Sequence, residues 1–201
     1  MRRALLPLAL CLALAGCGGA ASRIETPATT TGSGLSGGAI IPPDRAQPIA
    51  LHDAHGRPFT LGGQRGRWTL VTFLYTHCPD VCPLIASNLN TVLRARGPKA
   101  KLSVLAVSVD AKGDTAAAVR AYERRMHLEP NFHFLIGTRA QLRPVWAAWH
   151  VLAVQRKPDL VDHVAYTALV DPQGRRRVIY DSQVQAQQVL HDLRLLERRA
   201  A

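Results

Sequence analysis

"WTLVTFLYTHCPDVCPLIASNLN", residues 68–90, runs from an almost unbroken apolar stretch into an amphipathic one through a turn carrying Cys78 and Cys82, each followed by a proline. The stretch from Trp68 to Thr76 has no apolar–polar alternation, which marks a strand covered on both faces and therefore central in its sheet. Beyond the turn, Leu84, Ile85, Leu89, Val92 and Leu93 recur at helical spacing. Pro83 disfavours helical geometry at the residue before it and suits a first helical position. The helix is thus expected to begin at Pro83 with Cys82 as its N-cap, leaving both thiols on the connecting turn. The positive end of a helix dipole lowers a thiol pKa there, favouring thiolate, the form that attacks disulfides and ligates metals.

Working outward, "KLSVLAVSVD" (101–110) and "FHFLIG" (132–137) read as further strands, and "IALHDAHGRPFTL" (49–61) as a small hairpin turning at His55-Gly56. "HVAYTALVDPQGRRRVIY" (163–180) reads as two strands joined by the turn Asp171-Pro172-Gln173-Gly174. Helical stripes are formed by Val119, Tyr122 and Met126, by Leu142, Val145, Trp146 and Trp149, and by Val189, Leu190, Leu193 and Leu196. Strands alternating with helices predict an α/β domain over residues 49–201, a thioredoxin-like central sheet flanked by helices with an N-terminal β-hairpin.

The 201 residues open with Arg2 and Arg3 before an apolar run from Ala4 to Ala15, the layout of an export signal. The run is too short to cross a ~30 Å hydrocarbon core comfortably. Leu14-Ala15-Gly16-Cys17 looks like a bacterial lipobox, which predicts a lipoprotein signal peptide over 1–16 and a lipid on Cys17. Residues 17–48, rich in Gly, Ser, Thr, Ala and Pro, then form a lipid-anchored flexible linker with a reach of roughly 30 Å. The protein is expected to be exported and held at a membrane, facing the periplasm or an equivalent extracytoplasmic space. Gly18 after the lipid-bearing cysteine, where aspartate would signal inner-membrane retention, leaves the choice of membrane open. The net charge is +11, falling to +9 without Arg2 and Arg3, with arginines scattered through 65–67, 123–125, 175–177 and 197–199. They lack the interleaved aromatic residues that single-stranded nucleic acid favours, so no nucleic-acid partner is expected.

Cys11 leaves with the signal and Cys17 is consumed by acylation, so Cys78 and Cys82 remain. Export permits disulfides, yet a loop of about five residues would stabilise by only ~2 kcal/mol, a weak reason to keep a staple. Reversible disulfide exchange, zinc and copper are the three active chemistries open to such a pair, and a third ligand decides among them. An antiparallel strand starting near Val164 must begin at the edge where the strand 68–76 ends, which places Asp162 and His163 beside the thiols. Thioredoxin-type oxidoreductases have a cis-proline at that place. Here the residues are Val161-Asp162-His163, with Pro158 several positions upstream, and a histidine there points to ligation.

"YTHCPDVCP" (75–83), "VSVD" (107–110) with "DT" (114–115), "DHVAY" (162–166) and "LVDPQG" (169–174) stand in the order and approximate spacing of the Sco (SenC-type) copper chaperone family. The chain resembles that family over most of residues 49–180. The resemblance implies a thioredoxin-like fold and copper, as Cu(I), Cu(II) or both, bound by Cys78, Cys82 and His163. It also implies a copper-accepting subunit of cytochrome c oxidase as partner, during assembly of that enzyme's binuclear copper centre. Ala111 and Ala116 stand where the family has prolines, and Val164 where a small hydroxyl residue follows the histidine.

Two thiolates and an imidazole form a soft donor set suited to Cu(I), and three ligands leave the metal open to an incoming donor. Structural zinc is normally closed by four ligands. Because the donors must lose protons, binding should weaken in acid, and oxidation of Cys78 and Cys82 to a disulfide would abolish it. A copper-binding protein rather than an enzyme is therefore expected. The alternative is an exported thiol-disulfide oxidoreductase acting on the oxidase subunit or other envelope proteins, with the cysteines as redox pair, His163 incidental and a separate reductant as partner. His77, Asp80 and Asp162 are further candidates to hydrogen-bond and tune the ligands. His52, His55, His127, His133, His150 and His191 show no paired spacing and are read as surface or core residues, and Trp146 and Trp149 as core.

Overall fold

The computed structural model describes residues 32–157 and 160–200, with the backbone alone at 155–157, 160, 162 and 163. The lipobox, Cys17 and the first part of the expected linker lie outside the described residues. Gly32–Ala201 form a compact unit that holds every described strand and helix and the entire described core.

The apolar run of the opening stretch becomes β4 (Trp68–Leu74), every residue of it buried, and β5 (Leu102–Ser108) lies parallel to it and equally covered. β6 (Phe132–Ile136) extends the parallel block beyond β5. On the other side β9 (Thr167–Val170) runs antiparallel to β4, with Thr72 opposite Thr167 and Thr69 opposite Val170, and β10 (Arg175–Tyr180) returns beside β9. The turn between these two is the expected one, closed by Asp171 Oδ1, which accepts from the N–H groups of Gln173 and Arg175. The hairpin of β2 (Ala50–Asp53) and β3 (Pro58–Thr60) turns at Gly56, whose φ of +79° needs glycine, and β2 pairs with β6.

Four helices cover the sheet: α1 (Val81–Arg96), α2 (Ala116–Met126), α3 (Arg139–Ala148) and α4 (Ala186–Ala200). Thr115 and Thr138 cap α2 and α3, and Thr138 forms a full capping box with Gln141. The expected stripes face inward with one exception: Ile85, Leu89, Val92 and Leu93 are buried on α1, whereas Leu84 is 61% exposed. Trp149 is buried and packs against Phe73 at 5.8 Å between ring centres, Trp146 Nε1 donates to the Ser108 carbonyl at 2.8 Å, and Trp68 sits at the opposite end of the sheet.

Two elements depart from expectation. Gly38–Arg45, inside the stretch read as linker, forms β1, an edge strand antiparallel to β10. Its register breaks between Ala39 and Asp44, spanning Pro42 and Pro43. Prolines cannot donate to a ladder and are tolerated at such an irregular edge. The segment before β9 is not a continuation of that strand but a separate hairpin, β7 (Ala153–Lys157) and β8 (Leu160–His163), paired with each other as a two-stranded sheet.

Candidate functional site

β4 ends at Leu74 and delivers Tyr75 and Thr76, both buried, into the turn that carries Cys78. The helix begins two residues earlier than expected: Asp80 is its N-cap, Val81 its first residue, and Cys82 lies inside the first turn, fully buried. The first N–H groups of a helix have no intrahelical acceptor, so Pro83 is accommodated as the third residue without breaking a bond. Burial of Cys82 among the core residues overrides the local preference of the residue before proline. Tyr122 covers it from α2, donating its hydroxyl to the Cys82 carbonyl at 3.5 Å.

Expectation treated the two thiols alike, and the structure separates them. Cys78 is half-buried and reduced, Cys82 buried and reduced. The Cys78 thiol is lowered to about 5, chiefly because the Cys82 S–H donates to its sulfur, helped by the backbone N–H groups of Asp80 and Cys82 and by the Tyr75 hydroxyl. Cys82 is pushed far up by giving that hydrogen bond and by burial. The pair thus holds one proton between two sulfurs, a thiolate at the surface and a thiol behind it. Tyr75 is raised to about 12 by burial and by the charge on Cys78.

Under the turn lies Asp114, whose Oδ1 accepts from Thr76 N–H at 2.8 Å and Thr76 Oγ1 at 2.7 Å, and whose Oδ2 accepts from Ser108 Oγ at 2.6 Å. Burial raises its pKa. Asp110 folds the loop before it, accepting from the N–H groups of Lys112 and Gly113. A Cβ at Gly113 would lie 2.2 Å from Asp110 Oδ2, so this close approach requires glycine. These carboxylates close the loop that contains Ala111, and Ala116 occupies the first position of α2, where alanine serves as well as proline.

His163 is the last residue of β8, opposite Ala153. The strand expected to start near Val164 starts at Thr167, after Val164, which is 60% exposed. The topological premise holds, since β9 begins at the end of the sheet where β4 ends. The hairpin touches Tyr75: the hydroxyl that donates to Cys78 also engages the backbone of Val161, two residues before His163. The imidazole of His163 and the carboxylate of Asp162 lie outside the described side chains. Among the described residues no group of three or more His, Cys, Asp or Glu is arranged to hold a metal.

His77 is exposed and bonds Thr76 Oγ1 at 3.0 Å. Asp80 makes no side-chain cap and acts on Cys78 through its backbone N–H. His55 pairs with Glu123, His191 with Asp192, and His133 lies on the Phe59 ring at 4.2 Å with its pKa lowered to about 4 by burial. Sequence reasoning missed two residues. Tyr75 could have been found as an aromatic three positions before Cys78, and Asp114 as the second of two acids between a central strand and a helix start.

A family model described as SCO1/SenC matches residues 41–197. Among curated proteins, a SCO2-like protein of Rickettsia prowazekii is 26% identical over 150 residues, 71% of this chain and 72% of its own length. Protein SCO2, mitochondrial, of Saccharomyces cerevisiae is 32% identical over 64% of this chain, which spans only 44% of that relative. Among solved structures, Bradyrhizobium japonicum ScoI with copper bound is similar with a TM-score of 0.65 and 30% identity, over 76% of this chain and 98% of that one. Apo Sco1 of Thermus thermophilus is similar with a TM-score of 0.69 and 29% identity, over 83% and 99%.

Proposed function

The chain belongs to the SCO1/SenC family, and from that premise we propose that it is a copper metallochaperone whose cargo is held by Cys78, Cys82 and His163 and passed to a copper-accepting subunit of cytochrome c oxidase. The observation that carries this reading is the sulfur pair itself, half-buried Cys78 and buried Cys82 on the turn where β4 ends, with the hairpin bearing His163 in contact through Tyr75. The copper-bound ScoI of Bradyrhizobium japonicum supports the choice of metal. Loading such a site releases the Cys82 proton, so affinity falls as the solution is acidified. Attachment through a lipid on Cys17 and residence on the outer side of a membrane belong to the same proposal, with the residues between Cys17 and Gly32 as tether.

A second reading has its own support. A low-pKa surface thiol with a protonated partner behind it is also the arrangement of a thiol-disulfide exchanger, Cys78 attacking and Cys82 resolving. Titration of the reduced protein with Cu(I) against a competing chelator separates the two. Tight 1:1 binding, weakened by Cys78→Ala and by His163→Ala, is expected of the chaperone. Loss with the cysteine change alone would leave the exchanger.

A further inference from the structure

The end of the sheet opposite the thiols has a different composition. β4 and β5 begin there, β9 and β1 end there, and β10 starts there. Arg65 and Arg67 stand exposed on the loop before β4, which is tied to the β9–β10 turn by the Gly66 N–H donating to the Pro172 carbonyl at 2.9 Å. Lys101 precedes β5, its carbonyl accepting from Trp68 N–H, and Arg45 closes β1 opposite Arg175. Between Trp68, the turn and the last turn of α4 lies an open groove of about 620 Å³ lined by Arg175, Arg177 and Arg199. The carboxylates at this rim are already engaged: Asp171 is shared by Arg175 and Arg177, and Glu197 is held by Arg96. Arg45, Arg65, Arg67 and Lys101 have no carboxylate partner among the described residues, so the rim carries a strong net positive charge.

The path of the chain into the fold gives this charge a direction. Ser36 and Gly37 donate their N–H groups to Asp192 near the middle of α4, at 2.7 and 3.0 Å. Traced backward, the chain descends α4 past Leu195, which a Cβ on Gly34 would approach to 3.5 Å, to Ser33, whose carbonyl accepts from Arg199 at 2.6 Å. The first described residues, Gly32 and Ser33, therefore stand at the basic rim and not at the thiol rim.

We propose that this rim is a docking face for an anionic lipid bilayer, seated on phosphate headgroups through Arg45, Arg65, Arg67, Lys101 and Arg199. The thiol end then points away from the bilayer by the length of β4, about 20 Å. Clustered cations beside a membrane gain from its negative surface potential, and the gain is confined to within a Debye length and reduced by salt. A nucleic-acid partner fits less well, because among the described residues the rim presents no exposed aromatic side chain for stacking. The proposal stands on charge and on the entry point of the chain, and it does not depend on acylation of Cys17 or on copper.

The test is sedimentation of the unit Gly32–Ala201 with vesicles of phosphatidylcholine alone or with about a third phosphatidylglycerol, at low and at physiological salt. Binding to the anionic vesicles alone, falling as salt rises, is expected. The triple variant Arg65→Ser, Arg67→Ser, Arg199→Ser should lose about a hundredfold in partitioning, at about fivefold for each charge. Arg139→Ser with Arg143→Ser removes two exposed charges from α3, near the other rim, and should lose far less. Equal binding to neutral vesicles, an equal loss in the α3 variant, or tighter binding to an oligonucleotide than to anionic vesicles at equal phosphate would each overturn the proposal. Circular dichroism of both variants verifies that they remain folded.

Discussion

The two regions that meet at the candidate site are built in opposite ways. The cysteines ride on a strand, a turn and a helix set into the main core: β4 is buried along its whole length, α1 buries Cys82, Ile85, Ala86, Leu89, Val92 and Leu93, and Asp114 pins the turn from below. The β7–β8 hairpin that carries His163 is paired only with itself among the described residues and holds Tyr75 through the backbone of Val161. A hairpin of two strands has little stability of its own in water. One region fixes the sulfurs within the main sheet and its first helix, and the other carries His163 on a separate hairpin tied to the core at Val161.

This contrast would break first at Asp114. Asp114→Ala leaves two buried hydroxyls and one N–H without their acceptor and should cost about 4 kcal/mol, measured by urea unfolding. A loss below about 1 kcal/mol would mean the turn is held by something else. Leu89→Ala should cost about 3 kcal/mol by the same measurement, the figure for a fully buried leucine in a well-packed core.

The thiol pair predicts a pH effect of definite sign. Cys78 is depressed to about 5 in the folded protein, whereas an unfolded cysteine titrates near ~8.5. Between those values the unfolded chain binds the extra proton, so the stability of the reduced protein should rise with pH and Cys78→Ser should flatten the rise. Above the unfolded value the raised Cys82 acts the other way, since the folded state keeps a proton that the unfolded state loses. His133, lowered to about 4, has contributed its own rise by about pH 6.5, so thermal melts between pH 7 and 8.5 isolate the cysteine.

Tyr75→Phe cuts the link between the regions. It should cost about 1 kcal/mol and raise the titration midpoint of Cys78, read from the pH dependence of alkylation rate. An unchanged midpoint would show that the phenol does not reach the sulfur. Leu152, 68% exposed at the entrance to β7, should tolerate serine within about 0.5 kcal/mol. A larger cost would show that the hairpin is packed more tightly than its pairing suggests.

Much of this was legible in the sequence because its causes are local. The unbroken apolar run of β4, the turn Asp171–Gly174 and the glycine at the β2–β3 turn each announce themselves within a few residues. β1 did not, because a Gly- and Pro-containing segment becomes a strand only when β10 supplies a distant partner. The start of α1 was misplaced because a proline in the first turn obeys the same rule at the first and third positions, and only the core decides which. The inequality of the thiols was invisible for a similar reason: spacing places two sulfurs together, but burial and the direction of one S–H set which holds the proton. The proposed ligand role of His163 rests on the family resemblance; the register at Thr72 and Thr167 shows only that β9 begins where β4 ends, and His163 itself lies on the separate β7–β8 hairpin.

The placement of the three tryptophans has an optical consequence. Trp146 and Trp149 lie near the sulfur end, where one bonds the Ser108 carbonyl and the other packs tilted against Phe73, while Trp68 lines the arginine groove. Indole emission from a single sample therefore divides by location: a quencher seated at the sulfurs should dim the first two, and a brominated lipid at the far rim should dim Trp68. Replacing Trp68 with phenylalanine would assign each share of the light.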